Sequence, residues 1–224
     1  MNTLMTPKVA TLLDQLHQEA ADQMPSVHTV VEQIQNESTS QEEWPSDWAK
    51  RMSSFYLPVS REQGRFLYQT VRATKAQNVV EFGTSFGISA IYIAAALHDN
   101  QSGKLVSAEL IESKAAKAKK HIHHAGLSDY VDIRIGDALV TLRDPEKPID
   151  ILFLDGGPSL YLSILRLLQP HLSEGALVIA DNVPTTDNEK NAYAEYIRNP
   201  TNGYVSTSMD SKAGMEYSLW TGAN

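Results

Sequence analysis

At 224 residues the chain is long enough for one well-filled α/β domain and short for two. Its composition, 42% hydrophobic and 21% charged, is that of a soluble globular protein, and a net charge of −8 argues against long nucleic acid as a partner, since such binding rests on Lys and Arg neutralising phosphates. The absence of cysteine removes a disulfide framework, a thiolate metal site and a cysteine nucleophile, which fits a cytoplasmic protein, and no apolar run is long enough to span a membrane.

The N-terminus alternates polar and apolar residues and lacks the continuous apolar stretch of a signal peptide. Val9, Leu12, Leu13 and Leu16 recur at helical spacing, as do Val27, Val30, Val31 and Ile34, which predicts two helical segments within 1–40. Residues 37–48 are polar and punctuated by Pro45, so the chain divides into an N-terminal helical appendage (1–50) and a core domain (51–224). Ser60 is placed as the N-cap of a helix over 60–76, with Phe66, Leu67 and Val71 on one face. From residue 78 onward short apolar runs at 78–82, 105–109, 131–135, 150–155 and 176–181 alternate with helical stretches at 87–98, 111–125, 137–143 and 159–172. This predicts an α/β fold, a doubly wound parallel sheet covered on both faces with right-handed crossovers. Residues 204–222 alternate about turn residues and predict a terminal antiparallel hairpin.

In open parallel sheets, ligands sit beyond the carboxyl ends of the strands where the strand order reverses. There Gly83 permits a tight turn and close ligand approach, and Gly87 permits close helix packing. The spacing Glu-x-Gly-x-x-x-Gly that starts at Glu81 is not the Gly-x-Gly-x-x-Gly cradle of a nicotinamide enzyme. Glu109 ends the second strand, where an acid can accept both hydroxyls of a ribose, and Gly136-Asp137-Ala138 after the third is positioned to line an adenine. Singly, each has a plainer reading as a turn or a solvated strand end. Together, at successive strand ends, they point to an adenosyl ligand. Asp155 and Asp181-Asn182 end the next two strands, and two carboxylates with an amide oxygen are hard ligands suited to Mg²⁺ or Ca²⁺. The competing reading gives Asp155 a hydrogen bond toward the cofactor side and makes Asp-Asn an ordinary turn.

Six segments in this order, FYLPVS…GRFLY, VVEFGTSFGIS, AELIESKAAKAKKHIHHAGL, IGDAL, FLDG…LYL and ALVIADNV, resemble the bacterial O-methyltransferases related to catechol and caffeoyl-CoA O-methyltransferases. The resemblance runs from about residue 54 to 220. It implies a Rossmann-like methyltransferase sheet of seven strands, S-adenosylmethionine as methyl donor, a divalent metal that chelates a small-molecule acceptor, and a homodimer. Carried over by motif, Val59, Glu81, Gly83, Ser85, Ser89, Glu109, Asp137, Ala138 and Asp155 would line the cofactor. Asp155, Asp181 and Asn182 would hold the metal, and Glu216 would stand near the acceptor hydroxyl.

One position departs from that pattern. The related enzymes carry a lysine, the general base, three residues after the first metal Asp; here Pro158 stands there, preceded by Gly157 where an aromatic residue is usual. Proline cannot accept a proton, and loss of a general base costs about 10²–10⁴-fold in rate. Three accounts compete: the metal acidifies the acceptor, the acceptor arrives anionic or already nucleophilic, or Lys190 or Asp187 is a surrogate base. The second is preferred. A non-methylating or N-methylating descendant that keeps both sites is the alternative, while a nucleic-acid methyltransferase lacks its base-flipping segment. His121, His123, His124 and the run KAAKAKK read as a basic, solvated helix face, and Trp44 and Trp48 as packing anchors.

Overall fold

The apolar runs become strands because residues of both parities along them need cover, which only a sheet sandwiched between helices supplies. The computed structural model describes residues 2–37, 48–184, 191–209 and 214–222. Among the described residues, β1 (Asn78–Phe82), β2 (Lys104–Glu109), β3 (Val131–Ile135), β4 (Ile149–Leu154), β5 (Leu172–Asp181), β6 (Tyr204–Met209) and β7 (Met215–Trp220) form one sheet in the order β3-β2-β1-β4-β5-β7-β6. The first five are parallel, and β7 runs antiparallel between β5 and β6. The order reverses between β1 and β4, so the ligand crevice opens at their carboxyl ends.

The helices are α1 (Pro7–Glu37), α2 (Trp48–Arg51), α3 (Arg61–Thr74), α4 (Ile88–Asn100), α5 (Glu112–Ala125), α6 (Ala138–Thr141), α7 (Tyr161–Leu168) and α8 (Ala192–Arg198). Val79, Ile151, Phe153, Leu177 and Ile179 pack on one face with residues of α1, α3, α4 and α5. Val80, Phe82, Leu152, Leu154, Val178 and Ala180 pack on the other with α7 and α8. The fold expected from the sequence is therefore present, with boundaries moved by a few residues. β5 starts at Leu172, earlier than its apolar run, where Ser173 Oγ donates to Asp150 across a register shift against β4.

The two N-terminal helical segments are one continuous helix with Pro25 inside it. A mid-helix proline costs about 3 kcal/mol. Burial of Val27 and Ile34 beyond it, continuing the buried stripe of Val9, Leu12, Leu13 and Leu16, offsets that cost. The polar linker proposed over 37–48 lies almost wholly outside the described residues, Trp44 included. No described helix is long and apolar enough to cross a membrane.

Candidate functional site

Between β1 and α4 the chain must turn from strand to helix in five residues. Gly83 adopts φ 104°, and a Cβ there would run into the backbone carbonyl of Asp155, so both conformation and space require glycine. Ser85 is held at φ 47° by its own N–H, which donates to Glu109 Oε2 at 2.7 Å. Its hydroxyl is buried and finds no partner among the described residues. An unsatisfied buried hydroxyl costs about 1–3 kcal/mol, which a polar ligand in this turn would relieve.

Glu81 is fully buried on the α4 side of β1, where Ser89 and Ser107 each donate to its carboxylate at 2.5 Å. Ser107 is its register neighbour on β2 and also pairs with Thr84 at 2.5 Å, so the acid ties strand, turn and helix together. Burial pushes its pKa up to about 7.

Glu109 accepts from Ser85 N–H and, through Oε1, from Ile111 N–H at 2.8 Å. A carboxylate has about four acceptor positions, so Glu109 keeps acceptor capacity beyond these bonds. Burial raises its pKa, against the N–H of Ile111 and the charge of Lys114. Asp137 caps α6 by accepting from Leu139 N–H at 2.9 Å, and Ala138 is buried beneath it. Val59 is buried and, with Tyr56, Ser85, Ser89 and Asp155, lines a small cavity at these strand ends.

Asp181 lies close enough to Asp155 for its charge to act on it. Burial, then the charge of Asp181, then that of Glu81, hold the Asp155 carboxyl well above the usual range; burial also raises Asp181. Among the described residues no Lys or Arg pairs with either acid. Asp181 accepts instead from Gln63 Nε2 at 2.5 Å and from Asn182 Nδ2 at 3.3 Å. Asn182 sits at φ 57° just past β5 and points its amide nitrogen at Asp181, leaving its oxygen available. Among the described residues no three His, Cys, Asp or Glu converge. Two acids beside an amide oxygen nevertheless match the hard donor set of Mg²⁺ or Ca²⁺.

Other expected residues are not brought together with this pair. Glu216 lies opposite Ala180, whereas Asp181 lies opposite Met215, so Glu216 faces the α8 side of the sheet. There Arg198 (2.8 Å), Ser206 (2.5 Å) and Ser208 (2.7 Å) occupy its carboxylate. Lys190 and Asp187 fall outside the described residues. Pro158 starts a short 3-10 turn, and a Cβ built on Gly157 meets nothing within 4 Å, so there is open space at that position.

Residues that sequence reasoning missed complete the site. Gln63 closes a capping box with Ser60, accepting its N–H at 2.7 Å, while its amide nitrogen reaches Asp181. The Ser-x-x-Gln signal was there to be read. Lys114, expected on a solvated face, is buried; it and Lys117 lie over the Phe86 ring, 5.3 and 5.0 Å from its centroid. His121 is likewise not free: its Nδ1 meets the Phe86 carbonyl at 2.9 Å, while His123 and His124 are exposed.

A methyltransferase-domain family pattern matches residues 80–183. The chain is 37% identical over 135 residues to a catechol O-methyltransferase of Niastella koreensis, covering 57% of this chain and 58% of that one. It thus spans less than two thirds of that relative's length. It is 30% identical over 175 residues to a probable O-methyltransferase of Mycobacterium tuberculosis, covering 73% and 72%. Among solved structures it superposes on the O-methyltransferase TomG of Streptomyces achromogenes, in complex with S-adenosylmethionine, with a TM-score of 0.66 at 26% identity over 78% of this chain and 86% of that one.

Proposed function

The chain belongs to the class I S-adenosylmethionine-dependent O-methyltransferase family, and on that premise we propose that it transfers the methyl group of S-adenosylmethionine to a small-molecule acceptor with the help of a divalent cation. The observation that carries the reading is the orphaned Ser85 hydroxyl, set in a turn anchored by Glu109 and packed on Asp155. When bound, S-adenosylmethionine supplies a sulfonium methyl for in-line displacement, and Mg²⁺ or Ca²⁺ supplies Lewis-acid polarisation of an acceptor oxygen. The protein's own contribution is positioning, which in such reactions carries most of the rate. Ser85 and Glu109 hold the cofactor, with Val59, Gly83, Ser89, Asp137 and Ala138 around it. Glu81 braces the turn from beneath. Asp155, Asp181 and Asn182 would hold the cation, and Gln63 orients Asp181.

Replacing Glu109 by Ala removes the ribose acceptor and the anchor of Ser85 together. Affinity for S-adenosylhomocysteine, read by calorimetry, should fall by about 1.5–3 kcal/mol, the range for hydrogen bonds to a charged group. Unchanged affinity would remove Glu109 from the cofactor site.

Pro158 bears on the acceptor. With no proton-accepting side chain there, the acceptor that suits the site is one already anionic or nucleophilic at neutral pH: a carboxylate, an acidic enol, a hydroxamate or a ring nitrogen. The open space at Gly157 suits a bulky one. Release of S-adenosylhomocysteine across a panel of phenols, catechols, carboxylic acids and N-heterocycles should rise as acceptor pKa falls. Restoring the base with Pro158→Lys should help only ordinary phenols and catechols. The surrogate-base account predicts instead that Lys190→Ala or Asp187→Ala lowers the rate about 10²-fold or more with binding intact. No methyl transfer to any acceptor, with cofactor still bound, would favour the non-methylating descendant. The family resemblance also underlies the proposal of a cytoplasmic homodimer, which light scattering of the purified protein tests for its oligomeric part.

A further inference from the structure

Helix α1 reaches the cofactor turn through a relay of contacts. Glu19 and Gln23 are four residues apart and share a face of α1. Glu19 Oε2 accepts the Tyr56 hydroxyl at 2.9 Å, and Gln23 Oε1 accepts the Tyr56 backbone N–H at 3.0 Å. Tyr56 is thereby gripped at both ends, and its ring stacks on Phe86 with centroids 4.1 Å apart and planes at 26°. Phe86 follows Ser85 in the β1–α4 turn, and its carbonyl and ring are held from the far side of the sequence by His121, Lys114 and Lys117. Tyr56 also opens the segment Leu57-Pro58-Val59, which lines the same cavity as Ser85 and Asp155.

We propose that Glu19 and Gln23 are positioning residues that clamp Tyr56 and the 56–59 segment against the cofactor turn, so that α1 sets cofactor affinity without touching the cofactor. The physical logic is pre-organisation. The wall formed by 56–59 has no regular secondary structure of its own, and ordering it on binding would subtract from affinity. Two hydrogen bonds from a helix packed in the main core order it beforehand. The Tyr56 hydroxyl, with its pKa raised by burial and by Glu19, stays protonated and remains the donor. This rests on the reading of the β1–α4 turn as the cofactor's seat.

The test uses the full chain with S-adenosylhomocysteine and S-adenosylmethionine. Tyr56→Phe keeps the ring stack and loses only the hydroxyl; Glu19→Ala loses its acceptor. Each should raise the dissociation constant for S-adenosylhomocysteine roughly tenfold, the scale of one charge-assisted hydrogen bond. The double variant should be no weaker than the worse single one, because both break the same contact. The KM for S-adenosylmethionine should rise in parallel while kcat stays within about twofold. Wild-type affinity in both single variants, additive losses, or a fall in kcat alone would overturn the clamp. Should the variants fail to fold, hydrogen exchange on the wild-type protein decides: the Tyr56 amide, held by Gln23, must already be protected without cofactor, and an amide that exchanges freely until S-adenosylhomocysteine is added overturns the clamp. If Glu109→Ala weakens binding and Tyr56→Phe does not, only the clamp falls. If Glu109→Ala binds normally, the cofactor's seat is misassigned and the clamp falls with it.

Discussion

The ligand-free protein should lose about 3 kcal/mol of stability on going from acid to mildly basic pH through Glu81 alone, and Glu81→Gln should abolish that loss. Burial raises the folded-state pKa of Glu81 to about 7, against 4.5 for an ordinary glutamate. A raised folded-state pKa means that the native protein binds the proton more tightly than the unfolded chain. The stabilisation is complete below the unfolded value and disappears as pH rises through about 7. At about 1.36 kcal/mol per unit, the full span comes to roughly 3 kcal/mol, and no solvent screening reduces it because the side chain is 0% exposed. Glutamine retains an acceptor for one of the two serine hydroxyls and carries no charge to bury. Denaturant melts at about pH 5, 6, 7 and 8 should show both proteins declining, because Asp155, Asp181 and Glu109 are also raised, with the variant declining less by the Glu81 share. Parallel curves would mean that Glu81 stays in one charge state throughout.

Loss of Asp181 should be the most severe lesion for turnover. Asp181→Ala should lower the methyl-transfer rate by about 10³-fold, as expected if a cation worth several kcal/mol of transition-state stabilisation can no longer be held. S-adenosylhomocysteine should still bind within about twofold, because Asp181 does not line the cavity at Ser85. Excess chelator should do the same to the wild-type protein. Gln63→Leu separates orientation from charge: it leaves the acid in place but frees it to swing, and should cost less than the alanine variant. Full turnover in chelator, with the metal content verified as negligible, would leave the two acids as structural groups.

The strands were legible because short apolar or alternating runs recur between helical stretches, and β1 and β3 fall at the positions read from the sequence. The single long α1 was not, because a proline in the sequence argues for a break and only tertiary packing around Val27 and Ile34 outweighs it. Strand-end residues were legible as a set, but the face each one uses depends on register. Glu216 shows the gap: one residue's offset against β5 turns it from the Asp181 face toward Arg198. The contacts of Gln63 and Tyr56 span more than 30 residues of chain, and pattern within a window cannot reach that far.

The placement of β7 has a consequence for how the molecule is made. β5 is bordered on one side by β4 and on the other by β7, whose last residue is Trp220. A chain growing on the ribosome therefore assembles β1 to β5 while the outer edge of β5 is still a bare row of unpaired N–H and C=O groups, the surface that recruits stray strands. That row includes the Leu177–Asp181 stretch, whose partners Met215–Leu219 are made after the other described strands. Until residue 220 has left the exit tunnel, Asp181 sits on a ragged border, and the arginine strap from α8 to Glu216 has nothing to fasten. The nascent chain is thus exposed at its centre until β7 has been made, and chaperone contact with ribosome-bound intermediates should concentrate on β5.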